Sequence, residues 1–219
     1  EKVAYRKFLW DLLQANSYNV DFVGSQQGGS SFAGFDVDHE AYPGIGISDL
    51  SANVYTYLTN NPTDYILLHI GTNDLGQGKD MVAELEVLLN EIDRYEADNA
   101  TEILVFLAQI IGNTGADQSA ITTYNNDMYT MAQQRAVNGD KIVMVDMQND
   151  AGLVYTLTAD GGDFYDALHP DDSGYEKMAQ LWYSSMQPYL DGATYTPPPG
   201  ANASCPPEIV HYWKFDEEM

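Results

Sequence analysis

Hydrophobic residues follow two different periods along the chain, and the alternation between them predicts an α/β fold. Apolar positions at helical spacing predict five helices, which contain 3–15, 50–58, 82–92, 121–132 and 175–189. Short apolar runs between them predict four strands, at 19–24, 65–70, 103–110 and 141–147. Strands that alternate with helices form a mostly parallel sheet covered on both faces. We therefore expect a flavodoxin-like, three-layer αβα sandwich.

Polar residues mark where two of these helices begin. Ser48 or Asp49 is placed to cap the second helix, and Ser173 with Glu176 forms a capping-box pattern at the last one. A Gly/Ser-rich loop at 24–34 and an acidic, aromatic loop at 35–46 separate the first strand from the second helix. We expect neither loop to contain regular structure.

The composition changes after Leu190 and predicts three segments. Residues 1–191 form the α/β domain, 192–207 a Pro-rich linker, and 208–219 the truncated start of another module. The chain begins without Met and enters the first amphipathic helix directly, so we expect its natural N-terminus to lie upstream. Cys205 is the single cysteine and lies in the linker, which excludes an internal disulfide.

The charge of the chain excludes two classes of partner. Thirty-three acidic residues against nine basic ones give a formal net charge of -24. Nucleic acids require clustered Lys and Arg, and anionic membranes repel such a surface, so we expect neither as a partner. The same charge is compatible with simple solubility or with a secreted protein.

The run Gly71-Thr72-Asn73-Asp74 follows the predicted strand 65–70 and carries the first candidate chemistry. In open α/β sheets, active sites lie beyond the carboxyl ends of the strands. The Asn73 amide could donate a hydrogen bond to a developing oxyanion, or it could only stabilise a turn. Asp74 could brace the same loop.

A carboxylate and an imidazole, Asp166 and His169, are three residues apart in a loop before the last helix. In a Ser-His-Asp arrangement the carboxylate orients the base that deprotonates the nucleophile. The alternative is an acidic loop with an exposed His. Gly44 follows Pro43 and either offers an unshielded N–H or forms an ordinary turn.

Several other residues carry weaker signals. Gly28-Gly29 lacks the pattern of a phosphate-binding loop, which disfavours a flavodoxin-like nucleotide binder. Asp36, Asp38 and Glu40 lack the spacing of a calcium-binding loop. His69, on an apolar strand, is expected to be a hydrogen-bonded core residue, and His39 carries no clear signal. We predict no cofactor and no metal.

Taken in order, these motifs resemble the SGNH (GDSL-type) hydrolase family over about residues 5–190. The stretches 5–10 and 19–25, and Asp38-His39-Glu40 leading to Pro43-Gly44, are most similar to its acetylxylan-esterase branch, carbohydrate esterase family 3. Gly71-Thr72-Asn73-Asp74 and Asp166-Ala167-Leu168-His169-Pro170 match two further family blocks. The resemblance implies that Gly44 and Asn73 are oxyanion donors, His169 is the base and Asp166 is its partner.

The family's Gly-Asp-Ser block and its first strand are not in this sequence, so the nucleophile Ser is not in the chain. Ser25 is a weak substitute, because a polar turn after a strand explains it. The second block also departs from the family, with Ala41, Tyr42 and Ile45 replacing Gly, His and Trp. In the family's sheet order the first strand is central. We therefore expect either a slot beside the strand 65–70 or direct pairing of its neighbours.

The resemblance implies a secreted serine esterase that removes acetyl groups from an acetylated polysaccharide or oligosaccharide, with its nucleophile upstream of this chain. The chain alone is expected to be inactive. Residues 209–217 resemble the start of a concanavalin-A-like lectin domain. Two alternatives remain: a catalytically inactive, carbohydrate-binding module of the same fold, and a lipase or phospholipase of that fold.

Overall fold

The computed structural model describes residues 3–115 and 117–198 and contains a parallel sheet between helices. The helices are α1 (Tyr5–Ala15), α2 (Ile47–Ser51), α3 (Val54–Asn60), α4 (Met81–Asn99), α5 (Ser119–Asn138) and α6 (Asp172–Leu190). The strands are β1 (Gln26–Gln27), β2 (Asp38–His39), β3 (Tyr65–Leu68), β4 (Leu104–Ala108) and β5 (Ile142–Val145). Two 3-10 turns cover Thr72–Asp74 and Thr158–Asp160.

The main sheet has the order β3-β4-β5, and both pairings are parallel. Every residue of β4 is buried, because this central strand is covered on both faces. The α/β class and the parallel sheet predicted from the sequence are therefore confirmed. Since the three strands are parallel, their carboxyl ends lie at one edge of the sheet, where the loops that follow β3 and β4 meet.

Two hydrophobic clusters lie on opposite faces of the sheet. Val105 and Leu107 belong to the first cluster, which includes residues of α2, α3, α4 and α5. Phe106 and Ala108, the alternate residues of the same strand, belong to the second cluster, which includes residues of α1 and α6. The period of two along β4 thus divides the core into two layers.

The segment 19–24 is not a strand, so that prediction was wrong. Val20 and Phe22 pack against the second cluster, but the backbone of this segment does not pair with β3. A cavity of about 780 Å³ lies between residues 19–24 and β3, with side chains of α1, α3 and α6 around it. The segment is apolar, but no strand of the described residues lies beside it to pair with. We expected either a slot beside the strand 65–70 or direct pairing of its neighbours, and the structure contains the slot.

Three local predictions also require correction. The second helix is two short helices, α2 and α3, and the N-cap of α2 is Gly46 rather than Ser48 or Asp49. The N-cap of α6 is Asp171, whose side chain accepts from the Gly174 N–H, so the Ser173 capping box is wrong. The two loops expected to be irregular pair through the short antiparallel ladder β1-β2.

The C-terminal part of the chain is described only in part. Residues 192–198 contain no helix or strand. The rest of the predicted linker, with Cys205, and the predicted start of a lectin domain lie outside the described residues. Among the helices of the described ranges, none has the length and apolar character needed to cross a bilayer.

Candidate active site

A glycine turns the chain sharply where β3 ends. Gly71 has φ +124°, and a Cβ atom at this position would lie 2.7 Å from the Tyr124 ring on α5. Only glycine fits such a close approach with a positive φ. The Asp74 N–H then donates to the Gly71 carbonyl and closes the Thr72–Asp74 turn. The turn sets Asn73 at the carboxyl end of β3.

Asn73 and Asp74 both bind the loop that contains Gly44. The Asn73 Nδ2 donates to the Ile45 carbonyl over 3.0 Å. Asp74 Oδ2 accepts from the Ile47 N–H at the start of α2 over 3.1 Å. Burial raises the pKa of Asp74, and the Ile47 N–H opposes that rise. The structure therefore brings the two predicted oxyanion residues, Asn73 and Gly44, onto neighbouring loops.

Asp166 and His169 lie in one tight hairpin loop. Asp166 Oδ1 accepts from the backbone N–H groups of Leu168 (2.9 Å) and His169 (2.8 Å). The His169 Nδ1 lies 2.9 Å from each carboxylate oxygen of Asp166. The backbone donors first, and then the imidazole, lower the pKa of Asp166 to about 2. The loop thus makes the Asp-His pair within four consecutive residues, 166–169.

This geometry assigns a direction to proton transfer. An ionised Asp166 accepts the Nδ1 proton of His169, so the remaining nitrogen, Nε2, is the one that can take a proton from a nucleophile. The side chains of His169 and Asp166 are 55% and 45% exposed, so the pair is accessible to a substrate from solvent. An acid–base pair of this kind suits ester hydrolysis.

A buried carboxylate, Asp163, anchors the hairpin to α6. It accepts from the Val154 N–H (2.6 Å), the Ser173 hydroxyl (2.8 Å) and the Lys177 ammonium (2.6 Å). Burial alone would raise the pKa of Asp163, but these donors outweigh it and lower the pKa. The sequence analysis did not single out Asp163. Its position directly before the buried Phe164 was the feature of the sequence that could have indicated a buried carboxylate.

Two hydrogen bonds link the loops at the carboxyl edge of the sheet. The Ile111 N–H, after β4, donates to His69 Nε2 over 3.3 Å. The Thr114 N–H, on the same loop, donates to the Ala167 carbonyl in the Asp166 hairpin over 3.1 Å. His69 is thus hydrogen-bonded, as predicted, although its side chain is half-buried rather than fully in the core. The predicted acid–base and oxyanion residues therefore lie on loops at the same edge.

A second buried residue that the sequence analysis missed is Asn125 on α5. Its side chain accepts from the Ile110 N–H and donates to the Ile110 carbonyl, each over 2.8 Å. These bonds satisfy the backbone just beyond β4, where the sheet ends. An Asn inside the apolar stripe of a helix was the sequence signal for this role.

Ser25 is bonded to a carboxylate. Its hydroxyl donates to Glu40 Oε1 over 2.7 Å and lies 2.9 Å from the Tyr42 hydroxyl. Glu40 also accepts from the Ser25 N–H and from Tyr42, and the latter bond raises the pKa of Tyr42 to about 12. Ser25 therefore ties β1 to the loop that leads to Gly44. His39 accepts from the Ala41 N–H in the same loop.

The described residues hold no cluster of three or more His, Cys, Asp or Glu side chains placed to bind a metal ion. Asp36 instead accepts from the backbone N–H groups of Phe22 and Asp38. Its carboxylate is therefore used to shape the loop.

Comparison with known proteins identifies the family. The GDSL-like lipase/acylhydrolase profile matches residues 4–182. The chain belongs to this family. It is therefore related to acylhydrolases and esterases, and its parallel sheet flanked by helices matches the structures of family members. The match covers most of the described residues.

Named relatives refine the comparison. The chain is 30% identical to a family 3 carbohydrate esterase from Clostridium thermocellum, with a TM-score of 0.69 over 85% of this chain and 87% of that one. A family 3 carbohydrate esterase from Talaromyces cellulolyticus shares the fold, with a TM-score of 0.73, 23% identity and coverage of 88% and 93%. A multidomain esterase from Ruminococcus flavefaciens is 27% identical over 94% of this chain, which spans only 30% of that protein.

Proposed function

We propose that this SGNH-family chain is part of a secreted carbohydrate O-acetyl esterase that acts on an acetylated polysaccharide or oligosaccharide. The observation that carries the proposal is the contact between His169 Nδ1 and Asp166, 2.9 Å from each oxygen. The 30% identity to a family 3 carbohydrate esterase supports the choice of substrate. The strongly acidic surface suits a neutral glycan better than an anionic substrate.

In the proposed mechanism, His169, Asp166, Asn73 and Gly44 each have a defined role. A serine hydroxyl loses its proton to His169 Nε2 as its oxygen attacks the acetyl carbonyl carbon. Asp166 stabilises the resulting imidazolium. The Asn73 amide and the Gly44 N–H donate to the negative oxygen that forms on the carbonyl. His169 then returns the proton to the sugar oxygen that leaves, and water releases the acetyl group by the same steps.

We propose that the serine comes from residues that precede Glu1, on a strand that fills the slot between 19–24 and β3. Such a strand would run between the two helix layers and end near Asn73 and His169, because β3 beside it ends there. The Ser25 hydroxyl donates to Glu40 rather than to a histidine, so we do not expect Ser25 to substitute for it. The chain as numbered is therefore expected to be inactive.

The test compares the 219-residue chain with an N-terminally extended protein that carries the natural upstream residues. We expect acetate release from an acetylated xylo-oligosaccharide by the extended protein alone, and loss of this activity in its His169→Ala variant. Turnover by the 219-residue chain that Ser25→Ala abolishes would contradict the proposal. An extended protein that binds the glycan without hydrolysing it would instead support the inactive carbohydrate-binding module.

A further inference from the structure

The loop that carries Gly44 forms a tight turn. The Ile45 N–H donates to the Tyr42 carbonyl over 3.3 Å, so these two residues are the ends of the turn. Gly44 occupies the third position with φ +76°, directly after Pro43, which is the backbone and the sequence of a type II turn. A residue with a side chain adopts this positive φ only with strain. The shape of the turn therefore depends on glycine at this position.

The Gly44 N–H is free to donate to a ligand. Gly44 is exposed, and a Cβ atom at this position would meet no atom within 4 Å. Among the described residues, no backbone or side-chain acceptor is bonded to its N–H. The turn sets the direction of this N–H, and the two ends of the turn set its place. The contacts that hold the ends therefore decide whether the N–H can reach a substrate oxygen.

Side chains hold the turn at both ends. At one end, the Asn73 Nδ2 donates to the Ile45 carbonyl over 3.0 Å. At the other end, the Tyr42 hydroxyl donates to Glu40 Oε1 over 2.5 Å. The Tyr42 ring also stacks on the Tyr57 ring of α3, with ring centroids 5.5 Å apart. A hydrogen bond to a carboxylate is stronger than one between neutral groups, so the hydroxyl is a firm point of attachment.

Glu40 connects the turn to the wall of the slot. Its Oε1 accepts from the Ser25 hydroxyl over 2.7 Å, and its Oε2 accepts from the Ser25 N–H over 2.8 Å. The backbones are in direct contact here, because a Cβ atom at Gly24 would lie 2.1 Å from the carbonyl carbon of His39. Gly24 ends the segment 19–24, which lines the slot. The carboxylate therefore joins a tightly packed part of the chain to the turn.

We propose that Glu40 and Tyr42 are positioning residues, which hold the turn so that the Gly44 N–H points at the oxygen that becomes negative during ester hydrolysis. Both act through the turn, without contact with the reacting atoms. The inference rests on the proposed function, in which Gly44 is an oxyanion donor. It also gives a role to Tyr42, which stands where the second block of the family has His.

The first test measures kcat and KM for acetate release by the N-terminally extended protein and its Tyr42→Phe variant, which keeps the stacked ring and loses the hydroxyl. Tyr55→Phe is the matched control, because it removes a 2.9 Å hydrogen bond from a tyrosine to a carboxylate, Asp98, between α3 and α4. We expect Tyr42→Phe to lower kcat by about tenfold, with KM within about twofold, because the oxyanion bond forms only in the transition state. The control should match the parent protein. A parental kcat in Tyr42→Phe, or a larger change in KM than in kcat, would overturn the inference.

A second variant tests whether Glu40 acts through Tyr42. Glu40→Ala removes the acceptor of the same hydrogen bond and should also lower kcat. The double variant Glu40→Ala/Tyr42→Phe should lose no more activity than Glu40→Ala alone, because both changes break one chain of contacts. Fully additive losses would overturn the inference.

The last test does not depend on hydrolysis. The order parameter of the Gly44 N–H is measured by nuclear magnetic relaxation in the 219-residue chain and in its Tyr42→Phe and Tyr55→Phe variants. We expect about 0.85, the value of rigid backbone, in the parent chain and the control, and below about 0.6 in Tyr42→Phe. A mobile Gly44 in the parent chain, or equal order in Tyr42→Phe, would overturn the inference. Failure of the esterase proposal looks different: the extended protein releases no acetate, while the order of Gly44 still depends on Tyr42.

Discussion

The Asn73 side-chain amide donates to the Ile45 carbonyl, and this 3.0 Å bond joins the loop after β3 to the loop that carries Gly44. A primary amide has two N–H groups, and this bond uses one of them. The other can donate to an oxyanion. The same residue thus fixes the spacing of the two loops and, in the proposed mechanism, supplies one of the oxyanion donors.

Replacement of Asn73 by Ala in the N-terminally extended protein should lower kcat for acetate release by roughly 10²–10³, the usual effect of losing one oxyanion donor. Steady-state kinetics with the acetylated oligosaccharide measures the change. Asn60→Ala, at the exposed end of α3, is the matched control and should leave kcat unchanged. Normal turnover by a folded Asn73→Ala variant would remove Asn73 from the mechanism.

Asp74 should matter for stability more than for chemistry. Its buried carboxylate accepts from the Ile47 N–H, and Asp74→Ala leaves that buried donor without a partner. We expect a loss of about 1–3 kcal/mol in the free energy of unfolding, measured by urea denaturation. Asp74→Asn keeps an acceptor oxygen and should cost less. Asp127→Ala, at an exposed site on α5, is the control. Equal stability of Asp74→Ala and the control would contradict this role.

The sequence predicted best where structure depends on nearby residues. The apolar run of β4 specified a doubly covered strand by itself. The Asp166 hairpin was predictable because Asp166 bonds backbone N–H groups only two and three residues away. The position of Asn73 at the carboxyl end of β3 was predictable for a similar reason, since Gly71 and the end of β3 place it.

Features that depend on distant residues were not predictable. The segment 19–24 has the composition of a strand, but strand formation requires a paired neighbour, and a cavity lies there instead. The cap of α6 was misplaced by two residues because Ser173 is drawn to Asp163 and Asp171. Asp163 accepts a hydrogen bond from Lys177 on α6, and no local pattern in the sequence predicts that pair.

His69 should make stability depend on pH. Burial lowers the pKa of His69 to about 4, whereas an unfolded histidine titrates near 6.5. Between these values the unfolded state binds a proton that the folded state excludes. The free energy of unfolding should therefore fall as pH falls from about 6.5 to 4, by up to about 3 kcal/mol.

Two measurements check this effect. Urea denaturation across that pH window should show a weaker pH dependence for His69→Asn than for the parent chain. The imidazole signals of His69 in nuclear magnetic resonance spectra should remain those of the neutral form down to about pH 4. A midpoint near 6.5 for those signals would show that His69 is not buried as a neutral acceptor of the Ile111 N–H.

The slot beside β3 should lower the stability of the 219-residue chain. The edge of β3 that faces the slot is not paired with another strand of the described residues. Buried backbone groups without partners cost about 1–3 kcal/mol each. The N-terminally extended protein should therefore melt higher by roughly 10 °C or more, as followed by circular dichroism. Identical melting of the two proteins would show that no strand fills the slot.

The slot also touches both hydrophobic clusters, since Leu58 of the first cluster and Leu13 of the second both line it. Ile45 and Leu75, on the loops of Gly44 and Asn73, pack against the cluster on one face of the sheet. Phe164 and Tyr175, beside the Asp166 hairpin, pack in the cluster on the other face. A strand entering the slot would contact both clusters at once. Its binding energy would then both complete the fold and set the distance between base and oxyanion donors, so that stability and catalytic alignment would rise and fall as a single equilibrium.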